Sequence, residues 1–236
     1  MEKLIGKESP VSKKGILWAT IHYFAGYTLV YPVVGIVFSM LLFDIEGLAP
    51  VFSWAIYIGM LVITVHYLSP YIKESWGNFT NRLGENLVSA IRYTFILLIV
   101  SIFTSLIVST VFGPDQSINQ QGIDSAIGSE PLQMFFAIVI FAPIVEELLF
   151  RGCFYRSFSS KMPIHVAAII SAILFGMIHI LEGIITMNFR DMAFILVYGS
   201  MGLVFVKVYD ETQSIVPCII VHSLYNVISF LMVLFL

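Results

Sequence analysis

The chain has 236 residues, 58% of them hydrophobic and 11% charged, against about 45–50% and 25% in soluble domains. With a mean hydropathy of +0.93, this composition excludes a soluble module and fits a polytopic membrane protein that meets the lipid bilayer and no nucleic acid. The net charge of −3 defines no partner class, because orientation in a membrane follows where Lys and Arg fall.

A membrane span needs about 20 mostly apolar residues. In chain order the predicted spans are Ile16–Phe43, Ala49–Leu68, Ile91–Phe112, Leu132–Phe150, Pro163–Leu181, Met192–Val208 and Ile215–Leu236. The first is too long for a signal-peptide core and has no small-residue cleavage site, so it is expected to be retained. Between the second and third, Tyr71–Ala90 places Trp76, Phe79, Leu83 and Leu87 at roughly helical spacing among polar residues, as an interfacial amphipathic helix does. The stretch Gly113–Pro131 is polar and rich in Gly, Ser, Gln and Asn, and is expected to be an exposed, mobile loop. The predicted fold is therefore an all-α transmembrane bundle of about seven spans with one interfacial helix.

Of the 12 Lys and Arg residues, all but Arg190 fall on one side of this arrangement. The positive-inside rule then puts the N-terminus in the cytoplasm and the C-terminus outside. Cys153 and Cys218 are far apart in the chain, form no CxxC pair and read as packing residues.

Chemistry concentrates on three spans. Glu146 and Glu147 are adjacent within the fourth. An ionised carboxylate at a bilayer centre costs about 2.5–3.5 kcal/mol on insertion scales, and two neighbours repel unless one is protonated or both meet cations. Arg151 shares a face with Glu147, four residues away, whereas Glu146 is rotated by about 100°. Arg151 is therefore expected to neutralise Glu147 and leave Glu146 facing a cavity. The alternative is that both glutamates merely pair with cations on neighbouring helices.

The fifth span carries Phe175 and His179 on one face, beside a small-xxx-small series of Ala168, Ala172 and Gly176 that lets another helix approach closely. The seventh carries His222 and Asn226, again four apart. Asn226 could orient a histidine, donate to an oxyanion, or simply clamp two helices together. Carboxylate plus imidazole is what water activation requires. His22, His66 and His165 stand outside any such grouping. No HExxH and no GxSxG occurs, so a zinc helix of that type and a nucleophile elbow are both missing.

Glu146-Glu147-Leu-Leu-Phe-Arg151, Phe175-Gly-Met-Ile-His179 and His222-Ser-Leu-Tyr-Asn226 together resemble the EExxxR, FxxxH and HxxxN motifs of the CAAX protease and bacteriocin-processing (CPBP, or Abi) family of intramembrane peptidases. Each motif is weak alone; the ordered triple is specific. The resemblance implies peptide-bond hydrolysis, with Glu146, Glu147, His179, His222 and Asn226 catalytic and Arg151 and Phe175 in support. It implies that Glu146 and His179 activate water while His222 and Asn226 bind a metal or steady the oxyanion. His179 and His222 are the ligands if zinc or another divalent metal is used; a metal-free Glu/His site is equally compatible. Implied too are a membrane-associated protein or peptide substrate and a bacterial cell membrane, with a non-enzymatic scaffold of the same fold as the alternative. Residues 126–236 would form the catalytic core and 1–125 an N-terminal set of membrane helices. Counted at about 1.5 Å per residue, His179 would sit higher in the membrane than Glu146, unless the fourth span is longer than drawn or the fifth is tilted.

Overall fold

The computed structural model describes residues 7–30, 33, 34, 37, 40 and 48–235, and these contain helices and no strand. Helix α1, Lys13–Ile21, starts where the Ser12 side chain accepts from the Gly15 amide, and it runs on as π-helical turns over His22–Val30. Next come α2 (Leu48–Asn81, with Pro70 inside), α3 (Leu83–Phe112) and α4 (Ile118–Ser129). Helix α5 runs through Pro131–Ser159. It is followed by α6 (Ile164–His179), the short α7 (Leu181–Ile185) and α8 (Phe189–Met192), then α9 (Ile195–Thr212) and α10 (Ile215–Phe235).

Among the described residues five stretches are long and apolar enough to cross a membrane: Val51–Asn81, Leu83–Phe112, Pro131–Ser159, Phe189–Thr212 and Ile215–Phe235. The expected fifth span is α6, apolar but only 16 residues long. The expected first span, Ile16–Phe43, lies partly outside the described residues. Helix α3 shows why the chain needs lipid. Ile99, Ile102, Phe103, Leu106 and Val111 are each more than 60% exposed along one helix, an apolar belt that water would not tolerate.

Two expectations fail. Tyr71–Ala90 is not a separate interfacial helix, because α2 and α3 each continue through it and part only at Arg82. Asn86 makes that break: its amide donates to the carbonyls of Asn78 and Phe79, both at 3.0 Å, and so caps the end of α2. Gly113–Pro131 is likewise not an irregular loop. The Ser117 hydroxyl accepts from the Gln120 amide at 3.1 Å and starts α4.

The small-residue series on α6 packs as expected. A Cβ on Gly202 of α9 would lie 2.9 Å from Ala172 Cα, and one on Gly176 would lie 3.0 Å from the Gly199 amide nitrogen. Glycines here let α6 and α9 touch backbone to backbone. The discrepancy in depth also finds its cause. Helix α5 continues past Phe150 to Ser159, so Glu146 sits near its middle rather than towards an end.

Candidate active site

Helix α5 is irregular on both sides of the glutamates. Residues Phe136–Phe141 and Leu148–Tyr155 are π-helical, and the α-helical stretch Ala142–Glu147 lies between them. Pro143 accounts for the first of these stretches, because a proline cannot donate to the preceding turn. The Ala142 amide reaches back five residues to the Ala137 carbonyl, so the register there is π.

Glu147 and Arg151 are fully buried and pair at 3.0 Å between Oε1 and Nη1, as expected from their spacing. The other guanidinium nitrogen, Nη2, donates to the Gly202 carbonyl at 3.0 Å, a contact that the close approach of α9 permits. The guanidinium also lies over two rings, 4.6 Å from the centroid of Phe175 and 4.8 Å from that of Phe205. Faces of aromatic rings attract a cation more strongly where water is excluded. His222 completes this cluster: its Nδ1 donates to the same Glu147 oxygen at 3.0 Å, and its ring stacks on Phe205 at 4.7 Å. One carboxylate oxygen thus holds both an arginine and a histidine.

Glu146 is placed differently. It is 7% exposed, its Oε2 has no hydrogen-bond partner among the described residues, and its Oε1 receives only a long 3.4 Å contact from the Tyr23 hydroxyl. His179 lies near enough to feel both Glu146 and His222 electrostatically. Its Nδ1 donates to the Phe175 carbonyl at 2.8 Å, one turn back on α6, which leaves Nε2 as the nitrogen with a free lone pair. Its ring stacks on Tyr198 of α9 at 4.6 Å. The Tyr198 hydroxyl in turn meets Ser117 at 2.7 Å, so the start of α4 is tied to the far side of His179.

Phe175 is the hub. It lies under Arg151, its carbonyl fixes His179, and its ring meets His179 and Phe150 at 4.7 and 5.4 Å. Asn226, by contrast, makes no hydrogen bond to His222. Its amide donates to the Ile138 carbonyl of α5 at 2.8 Å. Glu146, Glu147, Arg151, Phe175, His179 and His222 therefore gather in one place, and Asn226 binds the helix that carries the glutamates. Tyr23 joins this group without any motif spacing to mark it beforehand.

Among the described residues no three His, Cys, Asp or Glu side chains are placed to hold a metal ion. Cys153 and Cys218 are free and buried. A separate cleft at the turn between α2 and α3 is lined by Arg82, Glu85, Asn86, Arg92 and Glu211. Its arginines pair with Glu85 and Glu211, so it presents no unmatched charge to a substrate.

Residues 128–228 match the Rce1-like family, the type II CAAX prenyl endopeptidases, and this range contains every motif residue. YdiL of Bacillus subtilis (strain 168), named as a membrane peptidase, is 29% identical over 183 residues, 77% of this chain and 69% of its own. The UPF0177 protein YaiH of Lactococcus lactis subsp. lactis (strain IL1403) is 27% identical over 225 residues, 94% and 88% of the two chains. The membrane-embedded CAAX protease MroQ of Staphylococcus aureus (strain USA300) is 25% identical over 138 residues, covering 56% and 51%. No solved structure shows a significant match.

Proposed function

The chain belongs to the CPBP family of membrane peptidases, and on that premise we propose that it hydrolyses a peptide bond by activating water between Glu146 and His179. The observation that carries the reading is the contrast between the two glutamates. Glu147 Oε1 is committed to Arg151 and His222, whereas Glu146 has no cationic partner among the described residues: its Oε2, like that of Glu147, lacks a hydrogen-bond partner, and its Oε1 meets only the Tyr23 hydroxyl at 3.4 Å.

In this reading a water sits between Glu146 Oε2 and His179 Nε2. The Glu146 carboxylate takes a proton as the water oxygen attacks the substrate carbonyl carbon. The tetrahedral oxyanion is met by His222, which in its protonated form donates from Nε2 while Glu147 supplies the counter-charge. Glu146 then returns the proton to the amide nitrogen as the C–N bond breaks. Arg151 holds Glu147 in place and touches no reacting atom. The sequence is balanced without a further reactant, and water is its only co-substrate.

The substrate class proposed is a membrane-associated protein or peptide. Eleven of the 12 basic residues lie on the side assigned to the cytoplasm, which favours entry of a cytoplasmic tail from that side. The test is cleavage of candidate peptides by purified protein in detergent, wild type against Glu146→Gln. Activity in the first and none in the second supports the reading; equal activity removes Glu146 from the mechanism.

A further inference from the structure

We infer that Asn226 is a positioning residue, which replaces a backbone hydrogen bond that Pro143 removes from the glutamate-bearing helix. It acts through the Ile138 carbonyl. For its activity arm the inference rests on the peptidase reading above; its stability arm does not.

The argument starts from the register of α5. At the end of the π-helical stretch Phe136–Phe141 the Ala142 amide reaches five residues back and bonds the Ala137 carbonyl. The next pair in that register is residue 143 to Ile138. Residue 143 is proline and has no N–H to give. The α-helical alternative for the Ile138 carbonyl is the Ala142 amide, and that donor is already used on Ala137. Helix α5 therefore leaves the Ile138 carbonyl without a partner of its own. In a membrane interior no water replaces it, and an unmet carbonyl is costly.

Asn226 supplies the missing donor. Its Nδ2 lies 2.8 Å from the Ile138 carbonyl oxygen. Because a carbonyl can only accept, the amide group of Asn226 must present its NH₂ there, which fixes its orientation. One of the two N–H donors of that amide is thereby committed to α5. Helix α10 thereby grips α5 two turns before Glu146, and His222 on the same face of α10 grips it at Glu147. The two bonds, four residues apart on one helix, set the rotation of the glutamate pair relative to His222. A second carbonyl of α5 is held in a similar way: Ser171 of α6 donates to Phe150 at 2.9 Å, in the π-helical stretch that follows the glutamates.

A proline-to-alanine substitution separates positioning from catalysis. Alanine at 143 restores an amide that can reach Ile138, so it makes the Asn226 side chain dispensable. Asn226→Ala should lower kcat by about 100-fold through misplacement of the glutamates. Pro143→Ala/Asn226→Ala should recover to within about tenfold of Pro143→Ala alone. Pro70→Ala/Asn226→Ala, which restores an amide in α2 instead, should recover nothing. A folded Pro143→Ala/Asn226→Ala protein as inactive as Asn226→Ala would overturn the inference and make Asn226 an oxyanion donor. Recovery with Pro70→Ala would overturn it too, as general stabilisation.

The second arm needs no activity. In a Glu146→Gln background, Asn226→Ala should lower the Tm in detergent by about 2–4 °C, the scale of one interhelical hydrogen bond in a chain of this size. An unchanged Tm would overturn the inference even if the Pro143 variants fail to fold. If wild-type protein cleaves nothing, the peptidase reading fails while this arm still decides the role of Asn226.

Discussion

The Tyr23 hydroxyl lies 3.4 Å from Glu146 Oε1, joining residues 123 positions apart. It brings α1, outside the range that matches the family model, to the carboxylate assigned to the proposed mechanism. Tyr23 is 4% exposed, with its ring edge-on to Phe150 at 6.4 Å. The contact is long for an O–H···O bond, so its contribution is small. Tyr23→Phe should therefore lower kcat by about two- to tenfold, equivalent to about 0.5–1.5 kcal/mol, and leave KM unchanged. Steady-state cleavage of a fluorogenic peptide decides it; a rise in KM at constant kcat would instead place Tyr23 against the substrate.

Arg151 is bound on every side: by Glu147, by the Gly202 carbonyl and by the rings of Phe175 and Phe205. Arg151→Ala leaves Glu147 buried with only His222, a loss of about 3–5 kcal/mol for a broken buried pair. Arg151→Lys keeps the charge but gives up the planar group that serves two acceptors and two rings at once, so it should fall between alanine and wild type. Thermal unfolding in detergent should rank the three proteins in that order. An Arg151→Ala protein as stable as wild type yet inactive would move Arg151 from support into substrate binding.

Gly202 meets Ala172 at a distance that no Cβ tolerates: the added carbon would stand 2.9 Å from backbone Cα. Gly202→Ala must push α9 away from α6, at about 1–3 kcal/mol for overpacking. It also carries off the carbonyl that Arg151 uses. Reduced Tm and reduced kcat should appear together. Gly59→Ala, where nothing lies within 4 Å of the added carbon, is the control that should change neither.

The proposed mechanism uses no metal, so prolonged treatment with a strong chelator should leave cleavage within about twofold, in contrast to proteins whose ligands fold around an ion. Loss of activity on chelation, restored by one divalent cation, would require His179 and His222 to gather with a third donor in the substrate-bound state.

What the sequence reveals of this site depends on the distance over which the physics acts. Glu147 and Arg151, or Phe175 and His179, lie one helical turn apart, so spacing alone brings each pair together. The small residues of α6 likewise announce a close neighbour. Asn226 and His222 also share a face, but their partners on α5 depend on a π register that hydropathy does not encode. Pro143 hints at such a register without saying which carbonyl is left over. Tyr23 reaches Glu146 only through tertiary packing, and nothing local marks it. The break at Arg82 and the helix α4 were hidden for a related reason. Each is decided by one capping side chain, Asn86 or Ser117, whose effect outweighs the composition around it.

Orientation follows from charge and is open to direct measurement. Arg190, the one basic residue assigned outside, pairs with Asp115 just before α4, while Arg156 at the far end of α5 pairs with Glu74. These two ion pairs mark opposite ends of the bundle, and the positive-inside rule assigns the Arg156 end to the cytoplasm. Ser117 is a poor reporter because it is buried and bonded to Tyr198. Ser129 and Ser160 are exposed and lie at the two ends. In a background with Cys153 and Cys218 replaced, an impermeant thiol reagent on intact cells should label Ser129→Cys and spare Ser160→Cys until the membrane is opened. The reverse pattern would invert the topology, and with it the side from which a substrate tail must reach Glu146.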